Sequence, residues 1–268
     1  MTYRHHFSEP LDRDLLNDAE RKRGFNRKLF DVVALRYDVV TRLLSFGWDQ
    51  RWKNRMIRRL GRREVRRIVD LATGTGDIAR RLAAAYPGSE VVGVDLSEQM
   101  LRRARRLTRR LTGRASSDAA GVGHGVDSGR RADRVRFIPG DMNRLPFSDS
   151  SVDLVTGGYA LRNAPDLDRA LSEVRRVLRP GGRFAFLDFS HNGSSRLWLV
   201  GFWGRFWGLL LNGNPTTYGY IAASLAEYPS PEELRRRFGK AGFSRIRRIP
   251  LLFGTMELFE GWVPGRGA

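Results

Sequence analysis

Apolar residues along this chain fall into two alternating patterns. Short, nearly continuous apolar runs occur at Ile68–Leu71, Glu90–Val94, Val135–Ile138, Val152–Thr156 and Arg183–Phe189, and each predicts a buried strand. Between them, apolar side chains recur every three or four positions, which predicts helices over Ile78–Tyr86, Glu98 to about Leu111 and Asp166–Leu178. Upstream, Asn26–Leu44 puts Phe30, Val33, Ala34 and Tyr37 near one helical face. Ser45-Phe46-Gly47 breaks that pattern, and Trp48–Leu60 carries Trp52, Met56 and Leu60 together. Downstream, Pro229–Gly242 predicts a last helix, and Arg245–Ile249 with Leu252–Phe259 a closing hairpin. Strand and helix in repeated alternation imply an α/β fold: a mostly parallel, doubly wound sheet with helices on both faces and an antiparallel end.

The centre of this pattern is the turn after the first strand, Asp70-Leu-Ala-Thr-Gly-Thr-Gly-Asp77. Its glycines allow a tight turn and close approach of a ligand, and the helix that follows offers free N–H groups to an anion. Asp95 lies at the end of the second strand, about 20 residues on, where an acidic side chain can hold two ribose hydroxyls. Gly74-x-Gly76-x-x-Ala79 fits a dinucleotide as well as S-adenosylmethionine (SAM). Three features favour SAM. Asp70 can bind the ligand's amino group or brace the loop; Gly140-Asp141-Met142 can bracket an adenine; and Leu178-Arg-Pro-Gly-Gly-Arg183 separates a helix from a fifth strand, as in class I methyltransferases.

Polar stretches interrupt the pattern in three places. Residues 1–24 read as a polar arm, 25–66 as a helical cap on a domain running to 268, and 112–133 as a flexible insertion rich in Gly, Ser, Ala and Asp. Residues 194–230 read as a further helical insertion, expected on the substrate side. Within it Leu197–Leu211 holds Trp198, Phe202, Trp203, Phe206 and Trp207, and suits an apolar tunnel, a membrane interface, the core or a homodimer contact. That stretch is too short to span a bilayer comfortably, and the polar start predicts a cytoplasmic protein. The absence of cysteine excludes disulfides and thiolate chemistry, and the four histidines lack ligand spacing, which argues against a metal site. The formal charge of +19 implies attraction to a polyanion or an anionic membrane surface, unless it reflects solvated arginine faces alone. Nine basic residues between Arg51 and Arg67 and seven arginines between Arg102 and Arg114 mostly fall on outer helix faces.

Phe30-Asp-x-x-Ala-x-x-Tyr-Asp38, the Leu43-Leu-Ser-Phe-Gly47 segment and Trp52 together resemble the ubiquinone/menaquinone biosynthesis C-methyltransferase family. So do the glycine turn, Tyr159-Ala-Leu-Arg-Asn-Ala-Pro-Asp166 and Tyr218-Gly-Tyr-Ile-Ala-Ala-Ser224. The Leu-Arg-Asn segment is the specific part, and the likeness runs from about residue 26 to 260. It implies a class I SAM-methyltransferase fold, Rossmann-like, with SAM contacts at Thr75, Asp95, Asp141, Met142 and Gly158 beside Asp70, Gly74 and Gly76. The resemblance also implies a polyprenylated quinol as acceptor, demethylmenaquinol or the equivalent benzoquinol. The chain departs from the family at Asp141-Met142, at Asp188 (where Glu is usual), in its tryptophan-rich stretch, and at Phe253-Gly-Thr-Met256.

SAM carries its own activated methyl group, so alignment and a nucleophilic ring carbon are what remain for the protein. A neighbouring ring hydroxyl must lose its proton, which calls for a base or a cation that lowers a phenol pKa from about 10. Arg162 can stabilise that phenolate, or else pair with Asp166 or Asp188. Asn163 can orient the ring or the SAM loop. Tyr220, with Tyr159 and Tyr218, can stack on the ring or hydrogen bond to it, and His191 is an alternative base. Gly157-Gly158-Tyr159 is not the end-of-strand motif of amino-methylating nucleic-acid enzymes, and cytosine C5 chemistry needs a cysteine, so nucleic acid is disfavoured. A SAM-binding regulator without catalysis is the remaining alternative class.

Overall fold

The computed structural model describes residues 13–34, 37–45, 47–61, 64–119, 135–190, 220 and 223–265. Seven strands form one sheet in the order β3-β2-β1-β4-β5-β7-β6. They are β1 (Arg67–Leu71), β2 (Glu90–Asp95), β3 (Val135–Pro139), β4 (Val152–Gly158), β5 (Leu178–Phe189), β6 (Ser244–Leu251) and β7 (Met256–Trp262). The first five run parallel, and β7 enters antiparallel between β5 and β6. Successive residues of a strand face opposite sides, so β1 divides its apolar run between two cores. Ile68 packs with Met56, Ile78, Leu82 and Leu101 on one face, whereas Val69 and Leu71 join Leu171, Val174 and Phe184 on the other. There Phe184 stacks on Phe238 with ring centroids 4.4 Å apart. Helices α5 (Asp77–Ala85) and α6 (Glu98–Ala119) follow β1 and β2, while α7 (Leu167–Val177) and α8 (Pro231–Lys240) supply the second layer. The order reverses between β1 and β4, so the chain leaves the two strand ends in opposite directions and opens a crevice there.

Several sequence expectations need correction. The stretch expected as a polar arm is helical from Arg13: α1 (Arg13–Asn17) leads into α2 (Ala19–Val33), which Asp18 caps by accepting from the N–H groups of Glu20 and Arg21. Its few apolar residues are widely spaced among charges, yet Leu15, Leu16 and Phe25 are buried with Leu29, Met100 and Tyr220. The single helix expected over Asn26–Leu44 is two, because α2 stops at Val33 and α3 (Tyr37–Leu44) starts anew. Residues seven apart in one helix are separated by about 10 Å along its axis. The Phe30 and Tyr37 rings instead meet edge-on at 6.2 Å, and both face the same crevice, which is why their spacing hid the break. Helix α4 (Asp49–Leu60) matches its expectation closely, while β5 starts at Leu178 by pairing with Val152 across a register shift. The hairpin turns through Leu252–Gly254 and runs on to Trp262. Of the expected 112–133 insertion, residues up to Ala119 continue α6. The remainder of that segment, the tryptophan-rich stretch, His191 and Tyr218 lie outside the described residues. Among the described residues no helix is long and apolar enough to cross a membrane.

Candidate active site

Two carboxylates hold the glycine turn in shape. Asp70, at the end of β1, accepts the Thr73 hydroxyl at 2.7 Å and the Thr156 hydroxyl at 2.8 Å, so it ties the turn to β4. Asp95, at the end of β2, accepts the Gly74 N–H at 2.7 Å and the Ser97 N–H at 2.9 Å. Burial pushes both carboxyls up to about 6, against hydrogen bonds that favour their charged forms. Of the two uses expected for Asp70, the structure shows the brace. Gly76 has a left-handed φ of 77°, and a Cβ there would come within 2.6 Å of the Phe137 ring, so this position requires glycine on both counts.

Two adjoining clefts open at these strand ends. The first, about 610 Å³ of space partly open to solvent, lies between α2 and the sheet and is lined by Phe30, Tyr37, Asp95, Leu96, Met142 and Asn163 among others. The second, about 840 Å³, is bordered by Thr75, Asp49, Lys53, Asp77 and Arg80. Both share Tyr37, Ala72, Gly74, Gly158 and Tyr159, which makes them two ends of one crevice. In the second, Lys53 joins Asp49 at 3.1 Å and Asp77 at 2.9 Å, linking α4 to the start of α5. Burial alone would lower the Lys53 pKa, but Asp77 and Asp49 outweigh it and the net shift is upward. Burial likewise opposes ionisation of Asp77, and Lys53 and Arg81 overcome it, holding the carboxyl at about 2.

The predicted residues divide around this crevice. Gly74, Asp95, Met142, Gly158 and Asn163 line the first cleft, and Thr75 lines the second while donating to Asp38 at 2.6 Å. Asp141 lines neither. Its carboxylate accepts the Asn143 N–H and pairs with Arg23 of α2 at 2.8 Å, so only its neighbours Gly140 and Met142 reach the cleft. Arg162 also lines neither cleft. It follows β4 in a short turn (Leu161–Asn163), buried with Asp188, its Nε 3.3 Å from Oδ1 and its Nη1 donating to Ser224 Oγ at 3.2 Å. Asp188, not Asp166, is therefore its partner; Asp166 caps α7 through the Arg169 N–H. Tyr220 is buried away from both clefts, 5.3 Å from the Phe25 ring, and burial pushes its hydroxyl up to about 12. Tyr159 reaches both clefts from a left-handed backbone with φ 59°, a strained state for a bulky side chain. Sequence reasoning passed over Asn26 and the Lys53–Asp49–Asp77 cluster. Lys53 sat within a basic run that read as a solvated face, and only the apolar spacing of its neighbours Trp52 and Met56 hinted that this turn lies inward.

Comparison with known proteins agrees with this architecture. The model of the ubiE/COQ5 methyltransferase family matches residues 17–262. A demethylmenaquinone methyltransferase of Thermus thermophilus is 38% identical over 238 residues, covering 87% of this chain and 99% of the relative. A ubiquinone/menaquinone biosynthesis C-methyltransferase UbiE of Paracoccus denitrificans is 34% identical over 246 residues, 90% and 91% of the two chains. Among solved structures, a methyltransferase of Haloferax volcanii, in complex with the activator Trm112, superposes with a TM-score of 0.56 at 22% identity. It covers 88% of this chain and 97% of that one, a likeness of fold.

Proposed function

The chain belongs to the ubiE/COQ5 methyltransferase family, and from that premise we infer that it methylates a ring carbon of a polyprenylated quinol, demethylmenaquinol in the first place. The observation that carries this reading is the likeness to the Thermus demethylmenaquinone methyltransferase along nearly its whole length. The methyl donor is SAM, and the crevice suits it. The first cleft is largely apolar and carries Asp95 at the end of β2, as a nucleoside with a ribose diol requires, and the adjoining second cleft places Lys53 and Asp77 where an amino-acid end carries both charges. When bound, SAM supplies an activated methyl group that needs only an aligned nucleophile.

The chain's own residues then have separate tasks. Asp95 holds the ribose hydroxyls, and Leu96 and Met142 flank the adenine. Thr75 and Gly158 border the path between the two clefts. Asn163 faces the acceptor. Arg162 is a positioning residue: neutralised by Asp188, it fixes the Leu161–Asn163 turn, and only the remainder of its field favours an ionised ring hydroxyl. Tyr220 keeps its proton and supports α2 from behind.

A polyprenyl acceptor resides in a bilayer, so the reading includes peripheral contact with the anionic inner face of the membrane. The experiment is incubation of the purified protein with methyl-labelled SAM and, in parallel, demethylmenaquinol, a benzoquinol precursor or total RNA. Label in the naphthoquinol supports the reading. Label in the benzoquinol alone moves the acceptor, and label in RNA without either quinol overturns it.

A further inference from the structure

Two buried acceptors in the wall of the first cleft, Oδ1 of Asn26 and Oδ1 of Asn163, have no hydrogen-bond partner among the described residues, nor has the hydroxyl of Tyr220, which lines neither cleft. Such atoms are uncommon in folded proteins, because an unmet buried acceptor forfeits its hydration without return. Asn26 and Asn163 are 2% and 7% exposed, and both line the cleft. Their amide orientations are fixed. Nδ2 of Asn26 donates to the Asn163 carbonyl at 2.8 Å, and Nδ2 of Asn163 donates to the Tyr159 carbonyl at 2.7 Å. A flipped amide would set oxygen against oxygen in both places. Each side chain thus commits an N–H to the backbone and leaves its oxygen unmet within the cleft wall. Two acceptors in a mostly apolar wall call for a ligand that brings an O–H or N–H.

Sheet order indicates which part of which ligand that is. Asp95, Leu96 and Met142 stand at the ends of β2 and β3, on the side assigned above to the nucleoside. Asn163 follows β4, which lies beyond β1 from them, and is tied to Tyr159; Asn26 in turn is tied to Asn163. The wall over β4 is left to the methyl acceptor. We propose that Asn26, together with Asn163, accepts the hydrogen bond of a ring hydroxyl on the acceptor and so selects the reduced quinol over its quinone. A quinone oxygen has no proton to give and would face two acceptor oxygens, which discriminates by an unmet pairing rather than by size. Tyr220 lies close enough to Asn26 for that amide to favour its ionised form, but the two do not meet hydrogen-bond geometry. The Asn26 oxygen therefore remains without a partner in the cleft wall.

The inference rests on the quinol reading above, and the residue it adds is Asn26. The test measures binding of a soluble naphthol and of its methyl ether to the full-length protein saturated with S-adenosylhomocysteine, by calorimetry. The ether keeps the ring and loses the proton. Wild type should bind the naphthol about tenfold more tightly than the ether, and Asn26→Leu should bind the two alike. In turnover, Asn26→Leu should raise the KM for the quinol about tenfold with a smaller loss in kcat, while S-adenosylhomocysteine affinity stays within about twofold. A purely structural role would lower stability or cofactor affinity and leave the naphthol-to-ether ratio unchanged, and that result would overturn the proposal. Equal binding of naphthol and ether by wild type would overturn it without any variant. A wild type that methylates RNA and no quinol would instead remove the function on which the inference stands.

Discussion

Asp70 and Asp95 share a raised pKa of about 6 and have different uses, and the difference can be measured. A carboxyl whose folded pKa lies above its unfolded value near 4 holds its proton more tightly when folded. Stability therefore falls as pH rises from about 4 to about 6, and each such group costs on the order of 2–3 kcal/mol at neutral pH. For Asp70 that cost maintains the link from the turn to β4. In Asp70→Asn the Thr73 and Thr156 hydroxyls can still bond the amide by rotating. The variant should lose about half of the decline in melting temperature between pH 4 and 6, Asp95 supplying the rest, and be no less stable than wild type at pH 7; an unchanged pH slope would refute this assignment. Asp77 contributes the opposite sign. Its pKa of about 2 adds stability that is present above about pH 4 and lost as pH falls toward 2, so it leaves the Asp70 window untouched. For Asp95 the consequence is in binding. The ionised carboxylate is the stronger acceptor for ribose hydroxyls, so SAM affinity should weaken as pH drops below about 6. Asp95→Ala should weaken it tenfold or more at pH 7.5, on the scale of one or two charge-assisted bonds of about 1.5–3 kcal/mol each. Calorimetry across pH checks both, and a Kd indifferent to the alanine would remove Asp95 from the site.

At the scale of elements, the crevice depends on how α4 is fastened to α5. Lys53 is the fastener: its side chain is 11% exposed between Asp49 at 3% and Asp77 at 27%. Lys53→Met preserves the length of the stem and leaves two carboxylates without their shared cation. Removing one partner of a buried pair costs roughly 3–5 kcal/mol, and the partial exposure of Asp77, which keeps Arg81, favours the lower end. Urea denaturation should show that loss, and a change below about 1 kcal/mol would mean that α4 is held by its apolar face alone. How far such an arrangement can be read from sequence depends on whether the signal is local. The strands were legible because apolar runs such as Ile68–Leu71 and Val152–Thr156 have to be buried on both faces. The glycine turn and Asp95 were legible because backbone strain and a strand-end carboxylate leave marks in a few adjacent positions. Asp141 and Arg162 show the limit. Their residue types suit the chemistry, but an arginine from α2 and an aspartate from β5 claim their charges, and those partners lie 118 and 26 positions away by residue number. Lys53 shows the converse, a basic residue in a basic run that happens to point inward. The break between α2 and α3 was hidden for a further reason: a chain that folds back over one cleft keeps its apolar rhythm through the bend.

At the scale of the whole molecule the question is where the +19 formal charge goes. Much of the arginine is internally matched. Arg59 pairs with Glu260, Arg67 and Arg136 with Glu90, Arg103 with Asp38, and Arg248 with Glu257. The exposed ones among these pairs add little stability, and Glu257 and Glu260 are buried, but all of them weaken the long-range attraction of those cations. Exposed arginines without an ion pair among the described residues remain on several elements, Arg106, Arg110, Arg144, Arg235 and Arg245 among them, and one outer face of α4 gathers three. Arg51, Arg55 and Arg58 are exposed there with no ion pair among the described residues, and Arg51 lies over the ring of Trp48, itself 44% exposed, at 4.7 Å. An aromatic side chain flanked by cations is what an anionic lipid surface favours, each cation contributing about 1 kcal/mol within a Debye length of roughly 8–10 Å. The protein should co-sediment with vesicles containing phosphatidylglycerol, far less with neutral phosphatidylcholine vesicles, and leave them in about 0.5 M salt, where the Debye length is well below its physiological value. Arg55→Glu with Arg58→Glu should weaken anionic binding by ten- to a hundredfold or more, since two attractions of about 1 kcal/mol become repulsions. Neither arginine lines a cleft, so turnover of a short-chain, water-soluble quinol should stay as in wild type while turnover of the polyprenyl quinol in vesicles falls. Equal binding to neutral and anionic vesicles would assign the contact to apolar surface instead, and a double variant that binds like wild type would show that α4 does not meet the membrane.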